Sequence, residues 1–316
     1  MPGRINRRRF LKQSAVVSSA VLATSFEERV LLANQGRPAA QPAVDGKGLP
    51  AGKIGNLTVS RMFAGGNLIS GFAHSRDLMY VSSLLNNYFT DEKVMETFEI
   101  CEEMGINTAI LRLDDHCIRI INKYWNERGG KLQWIAQVKM AESDPTGEAR
   151  RAIDNGAVGA YLHGGVGDGL VAQGKVELMG RVVDYIRSRN VVAGLAGHSI
   201  EVPMAVEQAG IEVDFYMKTL HSHQYWSAGR QPENDNIWSK TPEKTIEFMR
   251  AVKKPWIAYK VMAAGAIKPR EAFRFAYEGG ADFICAGMFD FQVREDVLIA
   301  REILAGDLSR RRPWCG

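Results

Sequence analysis

Residues 253–306 read KKPWIAYKVMAAGAIKPREAFRFAYEGGADFICAGMFDFQVREDVLIAREILAG. An apolar, β-rich run at 255–261 gives way to a helical pattern over 268–278. Gly279-Gly280 then breaks the chain before a second apolar run, 281–286, and a second helical pattern, 292–305. Strand, helix, strand and helix in this order are what parallel strands joined by crossover helices look like. The same unit recurs toward the N-terminus. Strands are expected at 57–65, 107–113, 132–139, 157–162, 191–196 and 213–220, and helices near 91–104, 116–127, 147–154, 175–188, 201–209 and 241–253. Thr90 before Asp91-Glu92, and Thr241-Pro242-Glu243, mark helix starts. Gly105, Gly156 and Gly210 mark helix stops. Eight units over about 260 residues match a closed parallel barrel. The rival, an open doubly wound sheet, would carry a dinucleotide turn after its first strand, and none is present. Residues 51–316 are therefore expected to form one α/β domain, a (β/α)8 TIM barrel.

The N-terminus is different in kind. Asn6-Arg7-Arg8-Arg9-Phe10-Leu11-Lys12 fits a twin-arginine export motif, and an apolar, small-residue stretch follows from Ser14 to Phe26. That stretch is too short to span a bilayer comfortably, so no stable membrane span is expected. Residues 34–50 are a Gly/Pro/Ala/Gln-rich linker, with cleavage between Ala23 and Ala40. Residues 1–50 thus read as signal and linker, the export machinery as a partner, and the periplasm as the destination. Residues 1–33 hold six basic and two acidic residues, and their removal leaves acids and bases in equal number. The basic balance belongs to the signal, so no charge excess argues for nucleic acid. Cys101, Cys117, Cys285 and Cys315 have no metal or redox spacing, and Cys101 and Cys285 fall on apolar faces.

Barrel chemistry sits at the C-terminal strand ends. All six histidines, His74, His116, His163, His198, His221 and His223, fall there or just beyond. Alternation along the strands puts Arg112 and Asp114 on the inner face, with Gln137 and Lys139, Tyr161 and His163, Ala196 and His198. Lys260 ends the seventh strand, with Ala258 expected on the same side. Arg112, Asp114, Lys139, His163 and Lys260 are the candidate catalytic residues. Adjacent strand ends lie about 5 Å apart, so His163, His198 and His221 or His223 would converge on one divalent metal ion with a position open for water or substrate. The competing reading has these histidines hydrogen-bond one another, a substrate or loop backbone. Gly164-Gly165-Val166-Gly167-Asp168-Gly169 reads as a flexible loop or, through its N–H groups, an anion cradle. The long segment 221–239 carries Tyr225, Trp226 and Trp238, rings suited to stacking on a sugar or covering the rim.

Much of 53–306 resembles the aldo-keto reductase superfamily. The resemblance lies in Gly55-Asn56-Leu57-Thr58-Val59-Ser60-Arg61, in Asp91-Glu92-Lys93 through Gly105-Ile106-Asn107, and in Gly194-Leu195-Ala196-Gly197-His198-Ser199. It continues in Ile257-Ala258-Tyr259-Lys260 and in Gly287-Met288 before Gln292-Val293. The resemblance implies NADP held chiefly by the seventh and eighth units and a tetrad of aspartate, tyrosine, lysine and histidine. Lys139 falls at its lysine and His163 at its histidine. Ile110 stands at its aspartate, and Arg112, Asp114, Asp115 and His116 stand where its tyrosine would follow. The leading expectation is an exported, metal-assisted lyase, isomerase or hydrolase acting on a carbohydrate-like substrate. The alternatives are an NADP-dependent oxidoreductase using Lys139, His163 and Asp114, and a catalytically inactive ligand-binding barrel.

Overall fold

The computed structural model describes residues 48–73, 78, 80–225, 228 and 238–316. The export motif and most of the linker lie outside the described residues, as do His74 and Trp226. An antiparallel hairpin, β1 (Ala51–Ile54) and β2 (Leu57–Ser60), precedes the barrel. The barrel strands are β3 (Met62–Gly65), β4 (Thr108–Arg112), β5 (Gln133–Val138), β6 (Gly159–Leu162), β7 (Val192–Gly197), β8 (Phe215–Thr219), β9 (Trp256–Tyr259) and β10 (Phe283–Ala286). They pair in parallel in chain order, and β10 closes on β3. The helices are α1 (Tyr80–Tyr88), α2 (Asp91–Glu103), α3 (Asp115–Arg128), α4 (Gly147–Asp154), α5 (Gly164–Ala172), α6 (Val176–Ser188), α7 (Glu201–Gln208), α8 (Pro242–Met249), α9 (Pro269–Glu278) and α10 (Asp290–Ala305). The protein is a (β/α)8 barrel.

Strand alternation makes two cores. Phe63, Ile110, Ile135, Tyr161, Phe215, Ile257 and Phe283 fill the inside. Ala109, Leu111, Trp134, Ala160 and Leu195 face the helices. Ile54 and Val59 of the hairpin join the inner cluster and plug the barrel floor, leaving the strand C-termini as the mouth.

The expected strand 57–65 is two strands, broken at Arg61. Its N–H donates to the Pro50 carbonyl (2.8 Å), and its guanidinium turns to the floor, donating to the carbonyls of Asp282 (3.1 Å) and Gly316 (2.7 Å). Apolar periodicity runs through this corner because both strands bury one face. The glycine cluster at 164–169 is helical, not a loop. A Cβ at Gly167 would come within 2.4 Å of the Ala196 carbonyl oxygen, so the small residues let α5 lie against β7.

Candidate active site

β7 delivers its last residue, Gly197, to the mouth, and His198 follows it. The Asp168 carboxylate, on α5, accepts from the His198 N–H at 3.0 and 3.2 Å, from the Ser199 N–H at 3.0 Å, and meets His198 Nδ1 at 2.8 Å. Burial works to raise the Asp168 carboxyl, but the imidazole and these N–H donors outweigh it and hold its pKa low. The His198 carbonyl is gripped too. It accepts from Lys218 Nζ (2.7 Å) and Thr219 Oγ1 (3.0 Å). Lys218 is buried, and its remaining donors reach the Thr219 carbonyl and hydroxyl. Burial pushes its pKa down to about 7. With Nδ1–H given to a carboxylate, the tautomer inferred from this hydrogen bond leaves Nε2 basic.

His163 follows β6 and caps α5, its Nδ1 accepting from the Gly165 N–H (3.1 Å). Its ring lies 6.4 Å from that of His198, centroid to centroid. Burial, then the nearby charges of His198, Lys139 and Lys260, lowers its pKa to about 4, so it is a neutral imidazole at ordinary pH. Tyr259, on the inner face of β9, stands 5.7 Å from His198 between ring centroids. Its hydroxyl is buried and without a hydrogen-bond partner. A Cβ at Gly164 would lie 2.6 Å from that hydroxyl and 3.2 Å from His198 Cε1, so all three residues meet at the first turn of α5. An orphaned buried hydroxyl costs about 1–3 kcal/mol.

The other sequence candidates divide. Lys139 lies just past β5, and its charge acts on His163. Asp114 is the N-cap of α3, accepting from the Cys117 N–H at 2.8 Å, and pairs with Arg112 Nε at 2.8 Å. It serves the helix start and the Arg112 pair. Ala258 belongs to the helix-facing core, and Ile257 and Tyr259 face inward. The expected side for Lys260 therefore needs correction. Lys260 takes a left-handed conformation (φ 55°), which breaks the alternation and sets its ammonium 3.3 Å from the centroid of the Trp238 ring.

The histidine ligand set is not assembled. His221 is fully buried, with Nδ1 on the Ser222 carbonyl (3.0 Å) and Nε2 accepting from the N–H groups of Trp238 and Ser239 (3.1 Å each). Nε2 ties residue 221 to residues 238 and 239 while Nδ1 holds the ring on its own limb, and burial holds the ring neutral, with a pKa of about 4. His223 is exposed and donates through Nε2 to the Ser239 carbonyl (2.6 Å). Among the described residues, no three His, Cys, Asp or Glu side chains stand close enough to share an ion. Sequence reasoning missed Asp168 and Tyr259. The one signal for Asp168 was a lone carboxylate five residues after a strand-end histidine.

The chain matches no protein-family model and no curated protein. Its structure is similar to two solved structures of candidate aldo-keto reductases from Pseudomonas aeruginosa. Their identities are 14% and 13% and their TM-scores 0.57 and 0.58, covering 81% and 80% of this chain and 94% and 95% of theirs. It is also similar to the apo form of Gox0644, at 9% identity and a TM-score of 0.51, covering 81% of this chain and 94% of that one. At these identities the likeness is one of fold, the eight-stranded parallel barrel.

Proposed function

We propose that this barrel is an enzyme that moves a proton at an oxygen-bearing carbon of a small hydroxylated, carbohydrate-like substrate, with Asp168–His198 as the working pair. The carrying observation is the 2.8 Å contact between Asp168 and His198 Nδ1 on a residue whose N–H and carbonyl are also fixed. His198 Nε2 accepts the proton from the carbon beside the substrate carbonyl. Asp168 holds the ring in place and stabilises the imidazolium that forms. Tyr259 donates its hydroxyl proton to the oxygen on which negative charge grows, and the ammonium groups of Lys139 and Lys260 lower the cost of that charge. His163 stays neutral beside them.

The reductase-like fold favours a second reading, carbonyl–alcohol exchange with NADP, and the residues of the seventh and eighth units test it. Lys260 after β9 could meet a phosphate. The first helical residue of α10, however, is Asp290, whose carboxylate is engaged by Tyr88 and by Lys93 (2.9 Å). Arg270 forms a bidentate pair with Glu302 (2.9 and 2.7 Å). A carboxylate at a helix N-terminus repels the anion that terminus would otherwise attract. The eighth unit does not fit a dinucleotide. The metal-assisted reading loses His221 as a ligand, as described above.

Export through the twin-arginine pathway belongs to the same proposal and rests on Asn6 to Lys12. Lysine at Arg7 and Arg8 should leave precursor in the cytoplasm, and normal export of that variant refutes the localisation. For the chemistry, purified protein is assayed with aldoses, ketoses and sugar acids in D2O, with and without nicotinamide nucleotide. Deuterium appearing beside the carbonyl without nucleotide, and absent in His198→Asn, supports the proposal. Turnover only with nucleotide supports the second reading instead.

A further inference from the structure

The barrel floor holds a group of charges that the proposed chemistry does not use. Three guanidinium groups, those of Arg61, Arg310 and Arg312, gather there around Asp282. Arg61 is engaged by the carbonyls of Asp282 (3.1 Å) and Gly316 (2.7 Å) and by the rings of Phe283 and Trp314. Arg310 gives Nη1 to the carbonyls of Tyr277 (2.9 Å) and Ala281 (2.8 Å), and Nη2 to that of Gly280 (3.2 Å). Arg312 gives Nη2 to the Lys254 carbonyl (3.0 Å). Its stem lies on Gly280, where a Cβ would stand 2.6 Å from Cγ.

Carbonyls accept the hydrogen bonds but bring no negative charge. Among the described residues, Asp282 is the one carboxylate that pairs with Arg310 or Arg312, and its distances, 3.6 and 3.5 Å, are too long for good hydrogen bonds. Its oxygens are taken up by the N–H groups of Trp256 (2.9 Å) and Cys315 (2.8 Å). Glu278, whose carbonyl accepts from the Arg311 N–H, gives its carboxylate to Arg274 (3.1 Å). Nε of Arg310, and Nε and Nη1 of Arg312, are left buried with no acceptor among the described residues. The Arg312 side chain is 1% exposed. Burial pushes the pKa of Arg310 down to about 10.

Even with Arg61 set aside, two buried guanidinium charges share one carboxylate, one at each oxygen. Buried charge is stable only when it is paired and hydrogen-bonded. A buried water would satisfy an orphaned N–H but would leave the excess charge in place. What answers both needs is a negative ion that accepts hydrogen bonds and is small enough to sit under the Trp314 ring. We propose that the barrel floor binds one small inorganic anion, chloride or phosphate, on the unpartnered donors of Arg312 beside Arg310. Such a site lies at the strand N-termini, away from the mouth, and does not depend on the function proposed above.

Calorimetric titration and thermal unfolding of the full chain test it, in a buffer whose only anion is a bulky sulfonate. Chloride or phosphate is added at constant ionic strength. At least one of them should give a single saturable site and a midpoint that rises with the logarithm of its concentration; the one that saturates at lower concentration is the occupant. Arg312→Met keeps an unbranched buried stem and removes the unpartnered donors. Its affinity for the anion should fall at least about tenfold, the loss of a charge-assisted hydrogen bond. In the sulfonate buffer alone it should unfold no earlier than the wild type, because Arg310 and Asp282 then match one to one. Three results overturn the proposal. They are no saturable response of the wild type to either anion, an equal response in Arg312→Met, which is a general salt effect, and earlier unfolding of Arg312→Met in sulfonate, which means the chain itself compensates the charge.

Discussion

At His198 the neighbours settle both the place and the tautomer of the ring. Its N–H, its carbonyl and Nδ1 are each held, and the two holders, Asp168 and Lys218, come from opposite sides of β7 in sequence. Such pre-arrangement is what a proton-transfer group needs, since little is left to reorganise during reaction. Replacing His198 by Asn should lower turnover on the order of 10²–10⁴-fold, read from initial rates, with the thermal midpoint little changed. The neutral histidines carry a pH signature. Folded His163 and His221 have pKa values of about 4, against 6.5 unperturbed. The unfolded chain therefore binds more protons between those limits, and their contribution to stability, whole above about 6.5, is lost as pH falls toward about 4. Urea midpoints measured across that window should fall, and fall less steeply in His221→Asn. An unchanged slope in that variant would remove His221 from the account.

At the scale of the element, α5 decides where the site lies, and it is the element least visible in the sequence. Its six-residue start contains four glycines, which favour a loop by propensity. Tertiary contact overrides this, because only glycine lets the helix approach the Ala196 carbonyl at Gly167 and the Tyr259 hydroxyl at Gly164. With the helix unseen, Asp168 could not be placed beside His198. Tyr259 was lost for another reason: the left-handed Lys260 ends the period of two, so counting inward from it picks the wrong face of β9. Where the period was unbroken, as along β6 and β7, alternation put Tyr161 and Ala196 inside, where they are found. The boundaries of α4 match the expected 147–154. Gly164→Ala should cost about 1–3 kcal/mol in urea unfolding, the usual penalty of overpacking, and should lower turnover by displacing Tyr259 or His198. Wild-type stability and turnover in that variant would mean the three residues are not in contact.

At the scale of the whole barrel, the proposed site and the charged network around Asp282 lie at opposite ends. The floor is tied by Asp282, buried at the start of β10, which accepts from the N–H groups of Trp256 (2.9 Å) and Cys315 (2.8 Å) and lies 3.6 and 3.5 Å from Arg310 and Arg312. Trp314 is stacked between this cluster and Arg61, with guanidinium carbons 3.3 Å (Arg310) and 4.1 Å (Arg61) from its ring centroid. Removing one partner of such a network leaves buried charge uncompensated, so Asp282→Ala should cost about 3–5 kcal/mol. Turnover per folded molecule should stay near the wild-type value, because the mouth lies at the other end. A variant that unfolds no earlier in urea would show that the floor does not depend on this carboxylate.

The pairing of Asp168 with His198 is the claim on which the functional account turns. Its most direct test is the rate of deuterium exchange beside the substrate carbonyl, measured in chelator for wild type and Asp168→Asn side by side. Asparagine keeps the size of the side chain and removes the charge that orients and stabilises the imidazolium. The account predicts full wild-type exchange in chelator and a fall on the order of 10²–10⁴-fold in the variant at an unchanged thermal midpoint. Exchange by Asp168→Asn at the wild-type rate, or wild-type exchange abolished by the chelator, would contradict it.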